Sequence, residues 1–298
     1  MRLVGRVAEA AFVGPYAHLA VEIPGWKGAQ SGQFAMIQAA ESRCFLARPF
    51  SVSDDETHIE TTPGTHHAAR VSFLVDEVGR GSGELAALRV DDRVHVLGPL
   101  GRGFAAAGAV APAARRTAAC PAAGVGRGGA GRLVIVAGGA GIAPLPLLLR
   151  EIESRLIRSG VLVLAGFRSS REAQALCILD DGLERLRRCR IPSEVGITTE
   201  DGSFGFAGMV TDLLDRDLQP DDTVLVCGPS AMCEAVWKVC RRHGVRRAWF
   251  SLETLMACGV GSCHGCVTRV ADGTLTRVCR RGPVMAGEEA FGAEEETT

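Results

Sequence analysis

Tyrosine occurs once in 298 residues, and aromatic side chains make up only 5% of the chain. Set beside abundant Ala, Gly and Arg, that scarcity reads as a coding bias, so surface composition says little about function. Charge of one sign is missing too. With 33 basic and 34 acidic residues, the formal net charge of −1 lacks the basic field that a nucleic-acid binder needs. No apolar run approaches the roughly twenty residues of a membrane span. The start, Met-Arg-Leu-Val-Gly-Arg-Val, carries no long apolar segment of the secretory kind. No Ser-His-Asp set and no paired carboxylates stand out. Eleven cysteines without a leader point to a reducing compartment, so a cytoplasmic location is expected. A composition of 47% apolar and 22% charged residues describes a globular chain, long enough for two domains and a small appendage.

What is present is cysteine in a pattern. Cys258-Gly-Val-Gly-Ser-Cys263-His-Gly-Cys266 is followed, after twelve residues, by Cys279. Three thiols within nine residues, separated by glycines, cannot all be buried in one helix or strand. They make a tight loop whose sulfurs can converge. The spacing C-x4-C-x2-C with a distant fourth Cys is the pattern of a [2Fe–2S] site held by four thiolates. Gly259, Gly261 and Gly265 are expected to take positive φ and to let amide N–H groups approach the sulfurs. Zinc is the rival metal, but its knuckles pair a close C-x2-4-C with a second close pair, and Cys279 stands alone. A disulfide framework suits short secreted chains. His264, between two of these cysteines, reads as a solvent-facing loop residue. Of the other seven cysteines, most read as small buried hydrophobes or incidental thiols.

Residues 1–104 read as short strands, Leu3–Val13, Ala17–Ile23, Gln33–Gln38, Phe50–Asp54, Ala69–Val75 and Arg93–Leu97, with one short helix at Gly83–Leu88. They predict a small antiparallel β-barrel. Arg48-Pro49-Phe50-Ser51 lies within it, and an Arg, a rigid Pro, an aromatic and a hydroxyl can serve a flavin dinucleotide. Gly79-Arg80-Gly81-Ser82-Gly83 precedes the short helix and offers either an N–H nest for phosphate or a plain turn. Residues 105–131 form a low-complexity linker or insertion with almost no large apolar side chain. Gly126-Arg-Gly128-Gly-Ala-Gly131 in it matches G-x-G-x-x-G but precedes a strand, the wrong context for a nucleotide turn. The strand Leu133–Ala137, the turn Gly138-Gly139-Ala140-Gly141-Ile142-Ala143-Pro144 and a helix through about Ser159 have the right order. Pro144 and Pro146 are expected in the first helical turn. Strands Val161–Phe167, Ser193–Thr198 and Thr223–Cys227 alternate with helices near Arg171–Cys189, Val210–Leu214 and Ala231–His243. That alternation predicts a doubly wound parallel-sheet domain over 132–250, with a cluster subdomain and acidic tail over 251–298. Cys227-Gly228-Pro229 falls at a strand's carboxyl end, where ligands bind in such sheets.

Together these pieces resemble the ferredoxin–NADP reductase-like superfamily. Within it the chain is similar to the electron-transfer subunits of class 1B dihydroorotate dehydrogenases. The likeness covers nearly the whole chain and is most specific from Ser251-Leu-Glu-Thr-Leu-Met-Ala-Cys258 to Cys279-Arg-Arg-Gly-Pro-Val284. The resemblance implies that Arg48, Pro49, Phe50, Ser51, Leu74, Val75, Asp76, Gly81 and Ser82 contact FAD. It implies that Gly139, Gly141, Pro144, Cys227, Gly228 and Pro229 serve NAD(H), with Ser51 and Cys227 near the hydride transfer, and that Cys258, Cys263, Cys266 and Cys279 hold the cluster. Three departures stand out: Ser82 where the family has Thr, Asp76 where it often has a basic residue, and extra length around Thr62–Ala69 and at 105–131.

A hydride donor and a one-electron cluster need a flavin between them, so the implied path runs from NADH through FAD and [2Fe–2S] to an external acceptor. The resemblance implies that the acceptor is an FMN-bearing dihydroorotate dehydrogenase catalytic subunit of pyrimidine biosynthesis, in a heterotetramer of two of each chain. An eightfold βα barrel for FMN would alone take about 250 residues, so a partner is required. The alternatives are an NAD(P)H–ferredoxin or sulfide reductase subunit, and a redox sensor that turns nothing over. The segment Arg168-Ser-Ser-Arg171 can meet a 2′-phosphate or be a solvated loop, which leaves NADH against NADPH open.

Overall fold

The computed structural model describes residues 2–57, 68–109, 131–154 and 160–292. Strands β1 (Leu3–Val13), β2 (Tyr16–Pro24), β3 (Phe34–Ala39), β4 (Arg48–Asp55), β5 (Ala68–Val75) and β6 (Arg93–Leu100) close into a barrel in the order β1-β2-β5-β4-β3-β6. Every pairing in it is antiparallel. The alternation along β5 puts Val71 and Phe73 inside, where they join Leu19, Val21, Ile37 and Val52. Helix α1 (Arg80–Ala86) links β5 to β6. It starts three residues before its expected position, because the Ser82 hydroxyl accepts the Val78 and Gly79 N–H groups and fixes the entry turn.

The second unit alternates. β7 (Leu133–Gly138), α2 (Leu145–Ser154), β8 (Val161–Phe167), α3 (Ser170–Ala173), α4 (Asp180–Arg188), β9 (Ser193–Thr199), β10 (Phe206–Ala207), α5 (Val210–Asp217), β11 (Thr223–Cys227), α6 (Ser230–Arg242) and β12 (Arg247–Ser251) follow in turn. A lobe with β13 (Val267–Arg269), β14 (Leu275–Arg277) and α7 (Val278–Arg281) comes next, then β15 (Val284–Ala286) and α8 (Gly287–Phe291). The sheet order is β10-β9-β8-β7-β11-β12-β15. Its β7 and β8 are fully apolar runs, as strands covered on both faces must be. One face carries Leu148, Leu149, Ile152 and Leu186 from α2 and α4; the other carries Leu214, Val236, Val239 and Cys240 from α5 and α6.

Several elements differ from the sequence reading. The stretch Arg171–Cys189 is not one helix: a 3-10 segment, Gln174–Leu179, separates α3 from α4. The glycine turn contains its own 3-10 turn, Gly139–Ile142, so Pro144 precedes α2 and only Pro146 lies in its first turn. That helix is described to Ser154; 155–159 lie outside the described residues. The sheet is not wholly parallel, since β15 runs antiparallel to β12. The segment at 105–131 begins with a residue that packs, Ala109, beside the buried Phe104; 110–130, with the rejected Gly126–Gly131 match, lie outside the described residues, as does most of the 62–69 insertion.

The units are clasped through α2. Arg150 meets Asp54 of β4 at 2.5 Å, Glu151 accepts the Ser31 N–H at 2.7 Å and its hydroxyl at 3.0 Å, and Leu147 joins the barrel core. No helix among the described residues is long and apolar enough to cross a membrane.

Candidate functional site

The cysteine lobe leaves the sheet at β12 and returns at β15. Gly259 and Gly261 take left-handed backbone at φ +68° and +86°. A Cβ on Gly259 would stand 2.6 Å from the Met36 side chain and 2.9 Å from Leu100, so the loop is pressed onto β3 and β6 of the barrel. Gly265 does not take positive φ. His264 takes it instead, at φ +59°, a conformation that polar side chains tolerate. Gly265 serves by close approach: its N–H lies 3.3 Å from the Cys263 sulfur. His264 is exposed, with Nε2 3.3 Å from an Arg277 nitrogen that also donates to the Gly261 carbonyl at 2.9 Å.

The four thiols stand as two pairs. The Cys263 N–H lies 3.5 Å from the Cys258 sulfur, and the Cys279 N–H 3.5 Å from the Cys266 sulfur. Cys266 and Cys279 are buried with Phe34, Met36 and Val278, while Cys263 is exposed. Burial alone would raise the Cys258 thiol, but N–H groups of Cys263, Val260 and Ser262 bring it down to about 6, within reach of the thiolate that a metal requires. Burial, with the Cys266 sulfur beside it, raises Cys279. Among the described residues no three His, Cys, Asp or Glu side chains form a single-ion site. Two pairs suit a two-iron cluster with two thiolates per iron, whereas zinc draws four ligands to one point.

The flavin motifs meet although thirty residues separate them. On β4, Arg48 pairs with Ile37 and Ser51 with Phe34. The Arg48 guanidinium lies across Gly81 at the start of α1, so close that a Cβ there would meet its Nε at 2.9 Å. This places a fixed cation beside the backbone of the glycine segment, an arrangement that fits a pyrophosphate. The Ser82 hydroxyl also donates to the Gly79 carbonyl, so it is occupied within its own turn. Leu74 and Val75 point into cores, which leaves only their backbone for a ligand. Asp76 faces away from Arg48, into a cavity between barrel and sheet.

That cavity, about 570 Å³, follows the carboxyl ends of the parallel strands. Gly139 and Gly141 form its floor. A Cβ on Gly141 would fall 2.2 Å from the Cys227 carbonyl oxygen and 2.7 Å from the Gly228 Cα, so the turn rests directly on the backbone after β11. Pro229 lines the cavity, and Gly228 holds φ +157°. Pro144 and Cys227 do not line it. Cys227 is buried, and that burial, followed by Glu253, pushes its thiol upward, so it is a neutral group. Among the cavity residues without a signal of their own in the sequence are Tyr16, Glu172 and Glu200. Burial raises the Glu253 carboxyl, with Asp76 adding to it. Burial likewise raises Asp76, against the pull of Arg168.

A closed antiparallel barrel, a cavity at the carboxyl ends of a doubly wound sheet and a four-cysteine lobe on their seam define an iron–sulfur reductase of the ferredoxin–NADP reductase fold. Solved structures share that fold. A chain of the NADH-dependent reduced ferredoxin–NADP oxidoreductase superposes with a TM-score of 0.70 at 24% identity, covering 96% of this chain and 88% of that one. Residues 253–290 match the model of the iron–sulfur cluster binding domain of dihydroorotate dehydrogenase B. The dihydroorotate dehydrogenase B (NAD(+)) electron transfer subunit of Caldanaerobacter subterraneus subsp. tengcongensis is 32% identical over 89% of this chain and 90% of its own length. Its counterpart in Clostridium acetobutylicum is 31% identical over 87% and 85%. The chain belongs to the family of dihydroorotate dehydrogenase B electron transfer subunits.

Proposed function

We propose that this chain passes electrons between NAD(H) and an FMN-bearing dihydroorotate dehydrogenase catalytic subunit, using FAD and a [2Fe–2S] cluster, in cytoplasmic pyrimidine biosynthesis. The observation that carries it is the seam: the cysteine lobe is packed on β3, next to the strand that bears Arg48–Ser51, while its two ends are strands of the sheet that bears the dinucleotide cavity. When bound, the flavin converts a two-electron hydride into single electrons and the cluster carries them one at a time.

The chain's own residues bind, orient and shield. Arg48 neutralises the flavin pyrophosphate, and Phe50 and Ser51 of the same strand flank the ring. The glycine turn brings backbone N–H groups to the nicotinamide dinucleotide, and Gly228 and Pro229 bound its reactive end. Cys258, Cys263, Cys266 and Cys279 would hold the cluster through their thiolates. The paired Cys266 and Cys279 face the barrel, and Cys263 faces outward. Phe45 is 96% and Leu255, three residues before Cys258, 88% exposed, side chains that a docked partner would bury. The partner completes a heterotetramer of two of each chain.

Purified protein should reduce artificial dyes with NADH but leave dihydroorotate untouched. Adding the FMN-bearing partner should switch on dihydroorotate-dependent NAD reduction, and Leu255→Asp should lower that coupled rate while dye reduction stays unchanged. Turnover of dihydroorotate by the lone chain would refute this assignment. Electron delivery to a ferredoxin with none to the FMN partner would support the ferredoxin reductase alternative.

A further inference from the structure

The cavity has more acid than its cofactor's phosphates alone would favour. Asp76, Glu172, Glu200 and Glu253 line it, and Arg168 is the only basic residue among those lining it. The strand order orients an occupant. The cysteine lobe joins the sheet at β12 and β15 and rests on the barrel, so the nicotinamide end belongs beside β11 and β12. The adenosine end then extends the other way, over the ends of β8 and β9, where Glu200 follows β9 directly.

We propose that Glu200 makes this cavity select NADH and reject NADPH, with Arg168 withheld from a 2′-phosphate by Glu172; the proposal rests on the dinucleotide assignment above. A carboxylate accepts both hydroxyls of an unmodified ribose and repels a phosphate in the same place. Glu200 is held there. Its N–H donates to the Phe167 carbonyl at 3.0 Å, the Asp201 N–H donates to the Arg168 carbonyl at 3.2 Å, and the Ser170 N–H donates to the Ser203 hydroxyl at 2.7 Å. The loops after β8 and β9 are thus sewn together, and the acid cannot swing away with its loop.

The two arginines that follow β8 do not offset it. Arg171 is absent from the cavity lining. Arg168 reaches it, but one oxygen of Glu172 takes its guanidinium at 2.8 Å and the other accepts its backbone N–H at 3.1 Å. Glu172 is the fixed member, with its side chain 12% exposed against 75% for Arg168. A 2′-phosphate would have to displace a partly buried carboxylate to win that cation, which leaves a buried charge unpaired.

The test uses the full chain carrying its flavin and cluster. Binding of NAD+ and of NADP+ is measured by calorimetry, and dye reduction by NADH and NADPH alongside it. Wild type should favour NAD+. Glu200→Gln should shrink the preference about tenfold by tightening NADP+, the size expected for removing one nearby like charge. Glu172→Gln should free Arg168 and tighten NADP+, lowering the preference for NAD+. Equal affinity of wild type for both nucleotides, or an unchanged ratio in both variants, overturns the proposal and leaves the dinucleotide site standing. Failure of wild type to bind either nucleotide overturns the dinucleotide site itself and this inference with it.

Discussion

Replacing Gly141 by alanine adds one carbon and two hydrogens, yet it should nearly abolish use of NADH. The new Cβ would stand 2.2 Å from the Cys227 oxygen, 2.6 Å from its carbonyl carbon and 2.7 Å from the Gly228 Cα. All three are backbone atoms, so no rotamer change relieves the contact. Ordinary contact begins near 3.4 Å, so the turn and the end of β11 must part by about 1.2 Å. Overpacking of this kind costs about 1–3 kcal/mol in stability. A displacement of about 1 Å in groups that position a reacting partner costs on the order of 100-fold in rate. The expected result is a drop of about two orders of magnitude in kcat/KM for NADH-driven dye reduction, with flavin and iron content unchanged. Gly160→Ala is the control, because its Cβ would meet nothing closer than 3.8 Å. A Gly141→Ala protein that keeps NADH kinetics within a factor of about three would show that the turn does not carry the dinucleotide.

Asp222 is 1% exposed and accepts the backbone N–H groups of Arg132 and Gln219 at 3.0 and 2.9 Å and the Arg132 guanidinium at 3.0 Å; Asp222→Ala should cost about 3–5 kcal/mol in urea unfolding, and a loss below about 1 kcal/mol would contradict its anchoring of β7 to β11. Burial raises Glu253 above its ordinary carboxyl value, so the folded state holds that proton more tightly than the unfolded one. Stability attached to this group is therefore full below the ordinary carboxyl value and lost as pH rises from there through the raised folded-state value, and Glu253→Gln should raise Tm at neutral pH but not in acid; the same gain at both pH values would refute the sign. Cys263→Ser should lose the iron–sulfur absorbance and acid-labile sulfide yet keep FAD, since Cys263 is exposed, whereas Cys266→Ser, altering a buried side chain of the seam, should lower Tm as well.

The parts of the molecule legible in the sequence were those where chemistry is written in local spacing. Four cysteines and a glycine turn between a strand and a helix announce themselves, because the ligand set and the turn are each built from neighbours. The barrel is legible because its strands are short, often β-branched and bounded by Gly, Pro or Asp, and because burial alternates along the first part of β5. What was hidden depends on contacts between distant segments. β12, Arg-Ala-Trp-Phe-Ser, has no turn signal ahead of it beyond Gly244, and β15 is three residues long, held by pairing with β12 and by burial of Val284 and Met285. The break inside 171–189 lies in an apolar stretch whose composition suits a helix, and nothing local marks it. His264 in place of Gly265 at positive φ reflects the fit of the whole lobe onto Met36 and Leu100. The acidic wall of the cavity is hidden for the same reason. Tyr16 comes from the barrel, Glu172 from α3, Glu200 from the loop after β9, and Glu253 from the segment between β12 and the cysteines, and only the fold brings them to one space.

Ser251 and Val284 sit opposite each other across β12 and β15. Everything between them, cysteines included, is therefore an excursion that departs and re-enters at adjacent points of one sheet edge. A short hairpin could join those two points with the rest of the sheet untouched. The lobe is thus one contiguous insertion at a sheet edge that also closes the seam with the barrel, and a chain of this design can change its electron outlet by changing one contiguous stretch of its gene.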